Sequence, residues 1–155
     1  MLPDYEIVLG RGIGEIILGM TKDELAGILG EPDEIDTFEE IEKKDWESYR
    51  YDILNCSFTF DPDHEDRLIE ISIDNEYFHI GHFIRIGVRQ EEIVSKRLEE
   101  KYGNYMIKDM GDEEFPTREL MSFDDVGLNL WFDFGRVSII QISILTSKDL
   151  IIWPE

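Results

Sequence analysis

The chain has one cysteine, few basic residues and no long apolar run. A disulfide needs two thiols, so Cys56 cannot be cross-linked within the chain, and its place in an alternating strand segment predicts a buried, inert side chain. No apolar stretch approaches the ~20 residues that a membrane-spanning helix needs, and the amino end has no basic, apolar leader. These absences predict a cytoplasmic protein that does not enter a membrane.

The shortage of basic residues gives the chain a strong negative charge. Its 155 residues include 15 Lys and Arg against 36 Asp and Glu, for a formal net charge of −21. Phosphate groups repel such a surface, so we expect no binding to nucleic acid. The same charge attracts and steers a basic protein partner. An alternative interpretation is that the acidic surface serves only solubility.

Motifs that carry chemistry are also missing. The glycine-rich segment Gly10–Gly14 fits neither the dinucleotide-binding pattern nor the P-loop pattern. The segment Asp61–Asp66 begins like a calcium loop, but the glycine and glutamate that complete an EF-hand are absent. His79 and His82 lie in an alternating segment, which predicts that they point to opposite faces and hold no zinc ion. We therefore predict no catalytic residue, no cofactor and no metal. The remaining enzyme hypothesis is catalysis by a pair of carboxylates. Because the chain has 36 acidic residues, many such pairs exist, and the sequence does not distinguish a catalytic one.

Three segments of the first half recur in the second half. The order is preserved and the offsets are 71, 72 and 68 residues: Ile69–Ile73 recurs as Ile140–Ile144, Phe58–Asp61 as Leu130–Asp133, and Gly19–Leu25 as Gly87–Ile93. Near-constant offsets favour one supersecondary unit used twice. We therefore predict an α+β fold with two tandem helix-then-antiparallel-strand repeats and with helices on one face of the sheet. The repeats would cover about 5–78 and 79–146 of a single domain, 1–155, followed by a C-terminal tail.

Helix signals stand at matching places in the two repeats. Thr21 and Glu24 form a capping box at the start of the first helix, and Gly30 ends it. A second helix, about one turn longer, is predicted from about 90 to 102, with Val94 extending its apolar face.

Alternating or apolar segments predict the strands. They lie near 5–9, 13–18, 48–54, 56–61, 67–74, 79–86, 120–124, 127–134 and 137–145. Between them, 33–47 is predicted to be a loop or an irregular strand and turn, and 104–118 an acidic loop. The inward face of the strand at 127–134 would carry Leu128, Leu130, Phe132 and Phe134. Its other face would carry Asn129, Trp131 and Asp133.

Aromatic side chains among acids suit contact with a basic protein surface. The ring supplies buried area, and the carboxylate pairs with Lys or Arg. We therefore predict a partner-binding set from three parts of the chain: Trp46, Tyr49 and Tyr51; Asn129, Trp131 and Asp133; and Asp112, Glu113 and Glu114 in the acidic loop. The alternative for the aromatic members is a place in the core.

The segment Gly19–Asp33 resembles the first helix and turn of a known type of module. It reads Gly-Met-Thr-Lys-Asp-Glu-Leu-Ala-Gly-Ile-Leu-Gly-Glu-Pro-Asp. It is similar to the start of the small helix-then-three-strand modules of the beta-lactamase-inhibitor-protein type and of the small lipoprotein of the outer-membrane assembly machinery. The second copy departs from this pattern, because Arg89 replaces the capping Thr and no Pro follows Gly103. The tandem arrangement resembles the inhibitor type, which implies two modules that present a concave sheet to a protein target.

Together these patterns favour a non-enzymatic protein-binding module, specifically a bacterial immunity or inhibitor protein that neutralises a basic protein. The alternative is a small-ligand-binding or self-assembling module whose acidity serves only solubility. Self-assembly would then use Trp131 or the apolar tail Leu150–Trp153. The sequence leaves the oligomeric state open.

Overall fold

An eight-stranded antiparallel sheet forms most of the structure, a computed structural model that describes residues 5–38, 45–147 and 150–154. In chain order the strands and helices are β1 Ile7–Val8, β2 Gly12–Ile13, β3 Ile16–Ile17, α1 Lys22–Leu29, β4 Glu34–Thr37, β5 Glu47–Tyr51, β6 Cys56–Asp61, β7 Arg67–Ile73, α2 Gln90–Ser95, α3 Glu99–Tyr102, β8 Met106–Asp109, β9 Glu119–Phe123, β10 Leu128–Asp133, β11 Arg136–Ser143, β12 Leu145–Ser147 and β13 Leu150–Ile152. Short 3₁₀ turns occupy Pro62–His64 and Asp124–Val126.

The strand order of the large sheet is β4-β5-β6-β7-β11-β10-β9-β8. Each half is therefore a four-strand meander, and the halves meet where β7 pairs antiparallel with β11. Strands β1 to β3 form a separate small sheet, and β12 pairs with β13. Of the described residues, about 17% are helical and 44% are in strands, so the predicted α+β class is confirmed at the level of a mainly antiparallel sheet with few helices.

One side of the large sheet is buried because apolar residues alternate along its strands. The burial of β10 alternates residue by residue, with Leu128, Leu130 and Phe132 in the core. Leu25 of α1 and Ile93 of α2 belong to the same core. Other fully buried members are Phe58, Phe60, Leu68, Ile71, Ile73, Phe123, Ile140 and Ile142. Phe134 does not continue this face: it lies in the turn after β10 and is 66% exposed.

Helix α1 begins and ends as predicted. The Thr21 hydroxyl accepts a hydrogen bond from the Glu24 amide at 3.2 Å, and the Glu24 carboxylate accepts one from the Thr21 amide at 3.1 Å. Gly30 ends the helix with φ +84°, a conformation that disfavours side chains, and its amide donates to Ala26. The predicted capping box is therefore confirmed.

The second predicted helix is wrong in length, because the chain forms two short helices there. The break falls at Arg97, whose φ of +51° lies in the left-handed region. Arg89 precedes α2 without a side-chain capping bond, so this helix lacks the support that Thr21 gives α1. Val94, predicted on the apolar face, is 45% exposed, whereas Ile93 is buried.

Three stretches differ from their predicted conformation. The predicted strand at 79–86 is instead a reversal, in which isolated bridges link Glu6 to His79 and Ile80 to Ile84. The segments predicted as mainly irregular contain the edge strands β4 and β8, every residue of which is exposed. Exposed edge strands have no buried face, and so they lack the alternation that reveals a strand. The rest of the predicted loop at 33–47 includes 39–44, which lies outside the described residues. The C-terminal tail also contains the β12–β13 hairpin.

Thr21→Ala should lower the free energy of unfolding by about 1 kcal/mol, because it removes the side-chain acceptor of the α1 cap. Arg89→Ala is the matched control, since Arg89 holds the same position before α2 but makes no capping bond. Denaturant unfolding of both variants measures the difference. Equal losses would contradict the assigned role of Thr21.

Cys56 should be almost unreactive in the folded protein. Its side chain is fully buried, as predicted, and burial raises the pKa of its thiol to about 12. A thiol reagent at mildly alkaline pH should label the folded chain at least about 100-fold more slowly than the denatured chain, because little thiolate is present or accessible. Fast labelling of the folded chain would show that Cys56 is not in the core.

Candidate functional site

The side of the large sheet that faces away from the core carries polar side chains, and we call it the open face. The strand registers align one row of it across all eight strands: Glu34, Arg50, Ser57, Ser72, Gln141, Asn129, Ser122 and Met106. The four central strands contribute Ser57, Ser72, Gln141 and Asn129, all half-buried. This row of the open face is therefore polar and uncharged at its centre.

An apolar island interrupts this polar face on its C-terminal half. Trp131 lies between Leu120 of β9 and Ile139 of β11, its direct neighbours in the register, and all three are half-buried. The indole N–H of Trp131 donates to the Gln141 side-chain oxygen at 2.7 Å. Because this bond fixes the ring, Trp131 presents a preorganised apolar surface with its polar atom satisfied.

Arg118 ties the island to the acidic loop. Its guanidinium donates two hydrogen bonds of 2.8 Å to the two carboxylate oxygens of Asp133. The same group lies over the rings of Phe115, at 4.0 Å, and Trp131, at 5.7 Å. We call Arg118, Phe115, Trp131 and Asp133 the Arg118 cluster.

Electrostatics within the Arg118 cluster follow from this ion pair. The hydrogen bonds from Arg118 hold the pKa of Asp133 below its ordinary value of 3.8. The hydrogen bond to Asp133 raises the pKa of Arg118, and the negative charges of Asp112 and Glu114 raise it further. Asp133 is thus ionised and already engaged, which leaves the loop carboxylates as the groups available to an incoming cation.

The acidic loop is held in shape beside this cluster. The Asp112 carboxylate accepts a hydrogen bond from the Phe115 amide at 2.6 Å, and the Asp109 carboxylate accepts one from Gly111 at 2.9 Å. Asp112, Glu113 and Glu114 are exposed. Since the charges of Asp112 and Glu114 act on Arg118, these two predicted residues lie near the Arg118 cluster, although 17 or more positions separate them from Trp131 in the chain.

The three aromatics predicted from the first half lie elsewhere. Tyr51 is 2% exposed, its hydroxyl donates to the Gly30 carbonyl at 2.9 Å, and burial raises its pKa to about 12. Tyr49 is half-buried and packs edge-on against Phe60 at 5.0 Å. Trp46 is half-buried and 6.5 Å from Phe38. Tyr51 holds the core together, so we leave it out of the candidate surface.

Arg118 is the residue that sequence reasoning missed. A lone arginine in an acidic loop gives no signal, because its partner Asp133 lies on another strand. The prediction for the histidines was also wrong: the reversal at Gly81 and His82 stacks the rings of His79 and His82 at 4.6 Å instead of separating them. Within the described residues, no three metal-ligating side chains come together.

Comparisons with known proteins support a likeness of fold alone. No protein-family model matches the sequence, and no curated protein matches it either. An extracellular protein containing a SCP domain from Bacillus anthracis str. Ames is similar over 80% of this chain and 43% of its own, with a TM-score of 0.50 and 13% identity. A cysteine-rich secretory protein from Staphylococcus aureus subsp. aureus Mu50 is similar over 88% and 47%, with a TM-score of 0.50 and 11% identity.

A third similar structure is a DUF4309 family protein from Bacillus subtilis subsp. subtilis str. 168, which covers 86% of this chain and 87% of its own at 11% identity and a TM-score of 0.48. The chain spans less than half of the length of the other two proteins. Among the described residues, no helix is both long and apolar enough to cross a membrane.

Asp133→Asn should lower the free energy of unfolding by about 1.5–3 kcal/mol near neutral pH, because Arg118 loses its charged hydrogen-bond partner. The stabilisation should be complete above the ordinary pKa of 3.8 and should disappear as the pH falls through the lowered value in the folded chain. Denaturant unfolding of both proteins at neutral and strongly acidic pH measures this. A loss that is independent of pH would contradict the assignment.

Proposed function

We propose that the two meanders are tandem copies of one unit. Three strands of the first half begin 72 residues before their counterparts: β4 at Glu34 and β8 at Met106, β5 at Glu47 and β9 at Glu119, β6 at Cys56 and β10 at Leu128; β7 begins 69 residues before β11. The register shifts of β6 and β10 also correspond, at Thr59/Phe60 and Trp131/Phe132. Matching lengths, loops and bulges in these three strands support duplication.

The pairing of β7 with β11 supports the same proposal. Ser72 lies opposite Gln141, which is its own counterpart at the offset of 69 that separates the starts of β7 and β11, Arg67 and Arg136. A residue faces its own counterpart when a two-fold axis passes between them. The sheet would thus consist of two copies related by a local two-fold at this pair.

The segment before each helix is anchored in the same way. The Gly19 amide donates to the Leu68 carbonyl at 2.7 Å, and the Leu68 amide donates to Met20 at 2.8 Å. In the second half, Gly87 donates to Val137 at 2.8 Å and Val137 to Val88 at 2.9 Å. The correspondence thus extends from the strands to the helix entry.

We further propose that the chain is a non-enzymatic protein-binding module, specifically a bacterial immunity or inhibitor protein of the cytoplasm that neutralises a basic protein. The observation that supports this proposal is the apolar island around Trp131 on the open face, beside the exposed carboxylates of the acidic loop. An apolar centre with a charged rim is the usual anatomy of a protein interface. The resemblance to inhibitor-type modules, which use a sheet surface, supports the same reading.

Charge and packing would have different tasks in this complex. The net charge of −21 raises the rate of encounter with a basic partner, and the loop carboxylates orient it. Trp131 with Leu120 and Ile139 supplies the apolar area that slows dissociation. The Arg118 cluster holds the loop and the ring in fixed relative positions, which lowers the entropic cost of binding.

The test is capture of a partner from native cell extract at low salt, followed by association kinetics with the purified partner. We expect a basic protein at one-to-one stoichiometry that elutes as salt rises. The double variant Glu113→Lys, Glu114→Lys should slow association by roughly tenfold or more, because both carboxylates belong to the acidic loop that attracts the basic partner. Glu15→Lys with Glu76→Lys is the matched control, since both residues are exposed elsewhere and the charge change is the same.

Equal effects of the two double variants would show that only total charge matters and would overturn the assigned surface. If no basic partner binds, the proposal fails, and the alternative of a small-ligand-binding or self-assembling module takes its place.

A further inference from the structure

The turn between β10 and β11 holds an aromatic residue in an unfavourable conformation. Phe134 and Gly135 have φ values of +52° and +75°, as in a two-residue type I′ hairpin turn. Such turns prefer Asn or Gly at the first position, because a bulky side chain is disfavoured at positive φ. Phe134 also leaves its ring 66% exposed. The residue therefore costs stability twice, in backbone conformation and in unburied apolar surface.

The Phe134 ring lines an open groove of about 720 Å³ between this turn and helix α2. Val94 and Ser95 of α2 and Gln90 at its start lie on the opposite wall. Volumes of a few hundred Å³ are typical of sites for small ligands. The Gln90 amide donates to the Gly135 carbonyl at 2.8 Å, and the Phe134 amide donates to the Thr117 hydroxyl at 2.7 Å, so both sides of the groove are fixed.

Two arginines share the same groove. Arg89 and Arg136 lie directly opposite each other across an antiparallel bridge, an arrangement that is unfavourable for two like charges. Within the described residues, no carboxylate lies within 4.0 Å of the Arg136 guanidinium, which donates to the Gly87 carbonyl at 2.9 Å. Among the described carboxylates, Glu91 forms the ion pair of Arg89, at 3.6 Å.

This local charge is opposite to that of the whole molecule. The chain has 36 acids for 15 bases, yet this groove gathers two arginines with a single carboxylate. An arginine fork is well suited to a carboxylate, and an exposed ring beside it is suited to an apolar group. Local rules that are broken without a structural benefit tend to mark functional sites.

We propose that the groove binds a small organic anion that carries one carboxylate on an aromatic or other compact apolar group. Arg136 and Arg89 bind the carboxylate, and Phe134 and Val94 cover the apolar part. Gln90 and Ser95 offer polar groups at the rim. This site is separate in residues and in chemistry from the surface proposed for a basic protein partner, and either can exist without the other.

The experiment is a titration of the full chain, followed by backbone amide NMR, with benzoate as the probe. Acetate has the carboxylate without the ring, and benzylammonium has the ring with the opposite charge. We expect saturable shifts confined to residues 89–95 and 134–136 with benzoate, at about millimolar affinity for so small a ligand, and at least roughly tenfold weaker binding of the other two. Shifts elsewhere, or equal responses to benzoate and benzylammonium, would overturn the proposal.

Variants separate the two parts of the site. Arg136→Met keeps an unbranched apolar stem, removes the charge and should weaken benzoate binding at least roughly tenfold; Arg89→Met is a second test of the same charge. Phe134→Asn should weaken binding and also raise the unfolding temperature by about 2–4 °C, because Asn suits the turn. Ile53→Ser is the control, since Ile53 is 89% exposed outside the groove. Wild-type affinity in both arginine variants, or a Phe134→Asn chain that is less stable, would contradict the proposal.

Discussion

The pairing of β7 with β11 is the interaction on which the rest of the structure depends. It joins the two meanders into one sheet, with Ile71 opposite Ile142 and both fully buried. Without it, each half would be a four-strand meander with an exposed apolar edge, which is prone to unspecific pairing. Because β7 and β11 are central, β4 and β8 form the outer edges of the joined sheet. Their side chains are exposed and partly charged.

A sheet joined in this way has one apolar and one polar side. The proposed protein-binding surface lies on the polar side, and the proposed anion site lies at the β10–β11 turn. The row of the open face from Ser57 to Asn129 is uncharged, and the Arg118 cluster holds the apolar island against an acidic loop. The groove beside Phe134 has the opposite local charge. Both regions flank β10, which is held on each side by another strand. A rigid strand therefore positions Trp131, Asp133 and the turn that follows.

The features that could be predicted from the sequence are those that depend on residues close together in the chain. The α1 cap requires only Thr21, Glu24 and Gly30, all within one short segment, and the burial of β10 requires only alternation. The edge strand β8 was missed, and β4 was left open between a loop and an irregular strand, because neither strand has a buried face. The break at Arg97 was missed because helical spacing continues across it. Arg118 and the Arg89–Arg136 pair could not be found, since each depends on contacts between distant segments.

Native-state hydrogen exchange measures whether the β7–β11 pairing makes one cooperative body of the two meanders. We predict that the slowest amides of β6, β7, β10 and β11 exchange with a single free energy, equal to that of global unfolding. Denaturant should lower all of them in parallel. If the amides of one meander exchange at a distinctly lower free energy while those of the other stay protected, the halves are independent modules. The β7–β11 pairing would then not join them into one cooperative sheet.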